Sequence, residues 1–135
     1  MSFAKEINSP HNENVNAILY DNDVGVVIFS MNNKIYFISS VNYEALGCFD
    51  FDPISCFYLH KPLSTLFIGT MKGDIVCFPW PNKPINIVSK LPTYRCHDTP
   101  ITKIKITSDN LQLISITEES IFKHEICFIS NMRKI

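Results

Sequence analysis

The chain has 135 residues, enough for one domain with a core of its own. Hydrophobic residues make up 46% and charged residues 19%, which excludes a disordered chain. A net charge of −1 leaves no cationic surplus to grip a phosphate backbone, which argues against nucleic acid as a main partner.

Strand signals run the length of the chain, and helical periodicity is nearly absent. β-Branched and aromatic residues recur in alternating or wholly apolar runs, broken by Asn, Asp, Gly and Pro. The first group of predicted strands is 15–20 (VNAILY), 24–29 (VGVVIF), 34–39 (KIYFIS) and 44–49 (EALGCF). The second is 54–59 (ISCFYL), 64–69 (STLFIG), 74–78 (DIVCF) and 85–89 (INIVS). The third is 101–106 (ITKIKI), 111–116 (LQLISI) and 121–126 (IFKHEI). The connections are short, as antiparallel meanders require; parallel crossovers need a dozen residues or more. MSFAKEI at the start and CFISNMRKI at the end are strand-like enough to serve as extra outer strands.

These groups are copies of one unit. With Val15, Ile54 and Ile101 aligned, the positions three and five further on hold Ile18 and Tyr20, Phe57 and Leu59, Ile104 and Ile106. Eight positions on stand the turn formers Asp23, Pro62 and Asp109. The third strands begin in register at Ile35, Ile75 and Ile121. The anchors are 39 and 47 residues apart, the second interval stretched by PWPNKP (79–84). A period of roughly 40–45 residues with four short strands is the mark of a propeller blade.

With that repeat, the chain resembles the WD-repeat family, whose blade opens on His, three residues and V-x-x-V-x-F-S-P-D. HDTPITKIKITSD (97–109) follows the pattern closely and HNENVNAILYDND (11–23) more loosely. GTMKGDIVCF (69–78) is similar to the family's second strand, tight turn and third strand. The resemblance implies an all-β fold: a partial β-propeller of about three four-stranded antiparallel blades, near 11–49, 50–90 and 97–131, forming one domain of an incomplete or larger propeller. It also implies that His11 and His97 open their blades, with His97 paired to Ser115 and to an acid such as Glu118 or Glu119. The departures matter. No Trp-Asp pair closes a third strand, and Ile38-Ser39, Phe78-Pro79 and His124-Glu125 stand in its place. The family's His–Ser/Thr–Asp–Trp network cannot form in its usual way.

The run from GTMKGDIVCFPWP to YRCHDTPITKIKITSDNLQLISITEES is similar to WD-repeat proteins of cilia and flagella. That likeness implies a non-catalytic scaffold in axonemal assembly or motility complexes, with protein partners among the axonemal subunits. The alternative is a generic cytosolic WD-repeat adaptor, such as a subunit of a ubiquitination or trafficking complex. Either reading places the chain in the cytoplasm, the first also in the axoneme. Three blades fall short of the four to eight that close known propellers, so apolar faces and strand edges are expected at the ends. Three arrangements meet this difficulty. The chain is a piece of a larger propeller, or it completes a ring with another chain or copy, or its own termini cap an open partial ring.

No motif asks for a cofactor or a metal. His11, His60, His97 and His124 are dispersed, without C-x-x-C or H-x-x-x-H spacing. No G-x-S-x-G elbow accompanies the serines, and GTMKGD is a hairpin turn with Gly73 at positive φ rather than a phosphate loop. The adjacent acids Glu118 and Glu119 are placed in a turn between strands. Cys48, Cys56, Cys77, Cys96 and Cys127 fall mostly in apolar runs and read as reduced, buried small hydrophobes, ahead of a disulfide framework. The N-terminus lacks the basic flank and apolar stretch of a leader, and no apolar run has the length of a membrane span. Trp80, between two prolines, either packs down on the sheet or stands out as an anchor for a partner. Tyr94 and Arg95 are expected to extend that loop surface. Lys103 and Lys105 alternate with Ile104 and Ile106, so one side of that strand is expected to be wet.

Overall fold

A computed structural model describes residues 15–81, 85, 90–120 and 123–130. It contains eleven strands: β1 (Val15–Asp21), β2 (Val26–Met31), β3 (Lys34–Ser39), β4 (Ala45–Asp50), β5 (Ile54–His60), β6 (Thr65–Thr70), β7 (Asp74–Pro79), β8 (Thr93–Arg95), β9 (Ile101–Ile106), β10 (Gln112–Ser120) and β11 (Lys123–Ser130). A 3-10 turn at Lys61–Leu63 joins β5 to β6. Among the described residues no helix is long and apolar enough to cross a membrane.

The strands form three antiparallel meanders in the orders β1-β2-β3-β4, β5-β6-β7-β8 and β9-β10-β11. Strands hydrogen-bond within a sheet, and the sheets meet through side chains, which is how the blades of a propeller are built. The fold is therefore all-β, a set of propeller blades, as the repeat predicts. The turns follow from their residues. Asn32 turns β2 into β3 at φ 49°, and Gly73 turns β6 into β7 at φ 94°.

Two elements differ from expectation. The fourth strand of the second sheet is β8, pairing Asp74 with Arg95 and Val76 with Thr93. The predicted strand 85–89 does not provide it: Ile85 is not in a strand, and 86–89 lie outside the described residues. The reason is tertiary. The third-strand edge takes whichever segment reaches it, and Cys77 N–H already donates to the Pro92 carbonyl just before β8. At the C-terminus, residues 127–130 of CFIS continue β11 instead of forming a further outer strand. Glu118 likewise lies within β10, opposite His124, and not in a turn. MSFAKEI and His11 lie outside the described residues.

Two cores hold the sheets together. Val26, Ile28, Ile35 and Phe37 of the first sheet meet Ile54, Leu66, Ile68, Val76, Phe78 and Trp80 of the second. Phe67, Ile75 and Cys77 of the second meet Ile101, Ile104 and Leu113 of the third. The strands of the second sheet thus send alternate residues to opposite neighbours, which is why β6 and β7 read as continuously apolar rather than half polar. Ser30, fully buried on the first sheet, is an exception: its hydroxyl has no hydrogen-bond partner among the described residues. Ser30→Ala is expected to hold or raise stability, by up to about 1 kcal/mol, because an unpaired buried hydroxyl costs desolvation without return. Thermal unfolding followed by circular dichroism reads the outcome, and a loss of stability would show that the hydroxyl is bonded.

Candidate functional site

The first two sheets are clasped at one rim. Asp21 ends β1 and is only 4% exposed. Its Oδ2 accepts the indole N–H of Trp80 at 2.7 Å, and its Oδ1 accepts the Asp23 amide at 3.0 Å. Lys61, on the 3-10 turn of the second sheet, stands 3.5 Å from Asp21 and also pairs with Asp23. Burial pushes the Asp21 carboxyl up, but the Trp80 indole, the Asp23 amide and Lys61 outweigh it and hold the group below its ordinary value. Trp80 stacks on Phe37 with ring centroids 5.6 Å apart, and Phe37 stacks on Phe78 at 5.8 Å. A cleft of about 250 Å³ lies over this clasp. It falls below the range of about 300–1,000 Å³ usual for small-molecule sites.

His97 pins the second and third sheets. The amides of Cys96 and His97 both donate to the Gly73 carbonyl, at 3.2 and 3.0 Å. The buried His97 ring places Nε2 2.8 Å from Ser115 Oγ on β10. The backbone of this residue is thus fastened to one blade and its side chain to the next. Ser55 adds a hydroxyl bond to the Ile101 carbonyl at 2.6 Å, and His60 Nε2 lies 2.6 Å from Asn110 Oδ1. These histidines act as struts between sheets. Among the described residues no group of three or more His, Cys, Asp or Glu side chains could hold a metal.

Of the two readings of Trp80, the described residues show the indole packed down on the sheet and not standing out as an anchor. Trp80 is 3% exposed, sealed between Phe37, Phe78 and Asp21, because its indole gains more from that stack and a charged acceptor than from water. Tyr94 and Arg95 lie in β8, not in a loop, and serve the other interface. Tyr94 packs against the core shared by the second and third sheets, and burial pushes its hydroxyl above its ordinary value. Arg95 is exposed and bridges Asp74 and Asp98, each at 3.3 Å. Burial also pushes the thiols of Cys77 and Cys56 up, to about 12 and about 11, so both are packing groups rather than nucleophiles. Cys48 is exposed.

The surface that stands out is the outer face of the first sheet. Phe57 and Leu59 of β5 pack against the preceding blade, and Ile104 and Ile106 of β9 do the same. Ile18 and Tyr20 hold the same positions in β1, yet are 67% and 55% exposed. Cross-strand pairing extends the row: Ile18 opposes Phe29, which opposes Tyr36, while Tyr20 opposes Val27, which opposes Ile38. Among the described residues, the exposed large hydrophobics are Val15, Ile18, Tyr20 and Leu46 on the strands of the first sheet, Val41 and Tyr43 in its β3–β4 turn, and Met71 and Leu111 elsewhere. The opposite end of the molecule is different. Ala17 and Leu19, then Cys56 and Tyr58, fill the outgoing positions of the first two inner strands and pack in the cores. On β9 those positions hold Lys103 and Lys105, both exposed. The repeat announced blades but not that the outer face of the first sheet would be bare; in the third copy two lysines take the outgoing positions of the inner strand, paired across it with Ile114 and Ile116.

No protein-family model and no curated protein matches the chain. Solved structures do. A chain of the mitotic checkpoint complex is similar over 91% of this chain at 13% identity, with a TM-score of 0.68. The β-propeller domain of Cps50 (Swd1) from Myceliophteria thermophila is similar over 88% at 13% identity, with a TM-score of 0.65. The computationally designed Ika4 protein is similar over 96% at 11% identity, with a TM-score of 0.68. At these identities the likeness establishes the fold. The chain spans 36% of the checkpoint-complex chain, 40% of the Cps50 domain and 75% of Ika4.

Proposed function

We propose that this chain is a non-catalytic protein–protein interaction scaffold of WD-repeat type. The observation that carries the reading is the bare outer face of the first sheet, where Ile18 and Tyr20 repeat positions that the other blades bury. A contiguous apolar face on a water-exposed sheet marks an interaction surface. The propeller neighbours support the reading at the level of fold, since propellers present rims and blade faces from a rigid frame.

Within that reading, the partners are subunits of ciliary or flagellar axonemal complexes. The support is the resemblance of the 69–81 and 94–120 segments to WD-repeat proteins of those organelles. The test is fractionation of a ciliated cell that expresses the tagged chain. The tagged protein is expected to remain with detergent-extracted axonemes and to be released when Ile18 is replaced by Glu. Recovery in the soluble cytoplasm alone would replace the axonemal reading with that of a cytosolic adaptor. Recovery unchanged by Ile18→Glu would remove the outer face as the interaction surface.

A further inference from the structure

Two adjacent residues of the second sheet bond to opposite neighbours, and from this we infer that the 60–64 turn is a lever. Through it, the bond between the second and third sheets keeps the clasp between the first and second closed. Interfaces in a repeat array ordinarily act as separate, additive contacts. Here one turn serves two of them.

His60 ends β5 and Lys61 follows it. His60 Nε2 lies 2.6 Å from Asn110 Oδ1, in the turn between β9 and β10, and Nδ1 lies 3.2 Å from the Tyr58 hydroxyl. The Asn110 oxygen only accepts, so Nε2 carries the hydrogen and Nδ1 accepts from Tyr58. Lys61 reaches the first sheet instead, to Asp21 at 3.5 Å and to Asp23.

The turn that carries both residues has little slack. The Ser64 amide donates to the Lys61 carbonyl and the Trp80 amide to the Ser64 carbonyl, both at 2.9 Å. Thr65 Oγ1 donates to the Leu63 carbonyl at 2.8 Å, and Thr65 opposes His60 on one side and Pro79 on the other. A displacement of His60 is therefore carried to Lys61 and to Trp80, whose side chains both meet Asp21. Ser64 supplies the force. Its φ of 48° lies in the left-handed region, which a residue with a Cβ leaves unless its surroundings hold it there. The other end of the lever is fixed. Asn110 stands at φ 61°, which asparagine tolerates, and its amide donates to the Thr107 carbonyl at 2.9 Å. A partner that takes Asn110 from His60 thereby lets the turn relax and loosens the clasp across the second sheet.

The chain has one tryptophan, so a single indole N–H resonance reports the clasp. Hydrogen exchange of that proton in the native full chain measures how often the clasp opens. Asn110→Gly removes the acceptor and keeps the left-handed turn. It is expected to speed the exchange about fivefold, the effect of losing one ordinary hydrogen bond. Asn110→Asp keeps an acceptor oxygen and is expected to exchange as wild type does. Ser55→Ala removes another bond between the same two sheets, from Ser55 Oγ to the Ile101 carbonyl at 2.6 Å, but none from the turn. It is expected to leave the indole rate unchanged. Ser64→Gly removes the strain, so adding Asn110→Gly to it is expected to change nothing further. An indole rate that ignores Asn110→Gly, or that rises as far with Ser55→Ala, overturns the lever. A full rise on the Ser64→Gly background overturns it as well, since the strained turn would then not be what moves.

Discussion

Trp80→Ala is expected to destabilise the domain by about 3–5 kcal/mol, close to the whole stability of a small domain. Two losses combine. The indole leaves a void against Phe37 and Phe78 in the core between the first and second sheets. Asp21, 4% exposed, loses the donor that sits 2.7 Å from its Oδ2. Trp80→Phe separates them, because it keeps most of the ring and removes only the N–H. Its expected cost is about 1.5–3 kcal/mol, the range for a hydrogen bond to a charged group. That cost depends on pH in a defined direction. Asp21 is held below its ordinary value of 3.8 in the folded protein, so its contribution is fully present above that value and is lost as pH falls through the lower, folded value. The gap between wild type and Trp80→Phe is therefore expected to narrow in acid. Urea unfolding at neutral pH and at pH values below the ordinary carboxylate range checks this. A gap that stays constant would show that Asp21 contributes nothing through its charge.

The same residue shows what the sequence disclosed and what it withheld. The strand repeat was legible because the same positions stay apolar in every copy. Val15, Ile54 and Ile101, with the apolar residues three and five further on, keep that pattern, although the packing that accounts for it is present only in the second and third copies. Trp80 was not legible in that way. A Pro-Trp-Pro run fixes an extended backbone but not the side to which the indole turns, and the deciding acceptor lies 59 residues away on another sheet. The fourth strand of the second sheet failed for a related reason. INIVS has the better intrinsic pattern, yet TYR (93–95) pairs with β7, so position along the chain overrode propensity. His97 was legible as the opener of a blade. That its backbone would be bonded to the turn of the preceding blade was not, since a single strand pattern says nothing about the neighbour it leans on.

Gly73→Ala is expected to cost about 3 kcal/mol or more, and to cost it between the second and third sheets. A methyl group built at Gly73 would stand 2.1 Å from the His97 carbonyl oxygen and 2.4 Å from its carbon, and neither backbone atom can swing aside as a side chain would. The φ of 94° adds strain of its own, because L side chains rarely occupy that region. To relieve the contact, the His97 strut must back away. The bonds from the Cys96 and His97 amides to the Gly73 carbonyl then stretch, each worth about 1 kcal/mol. Gly25→Ala is the control. Its φ of 67° is also positive, but its nearest contact is the Ser40 hydroxyl at 3.3 Å, a side chain that can rotate. That variant is expected to lose only about 1–2 kcal/mol, the cost of the left-handed conformation alone. Thermal unfolding ranks the two, and amide exchange locates the damage. In Gly73→Ala, Cys96 and His97 are expected to lose protection while β2 and β3 keep theirs. Equal losses in both variants would mean that the turn bears only conformational strain and that the third blade does not depend on it.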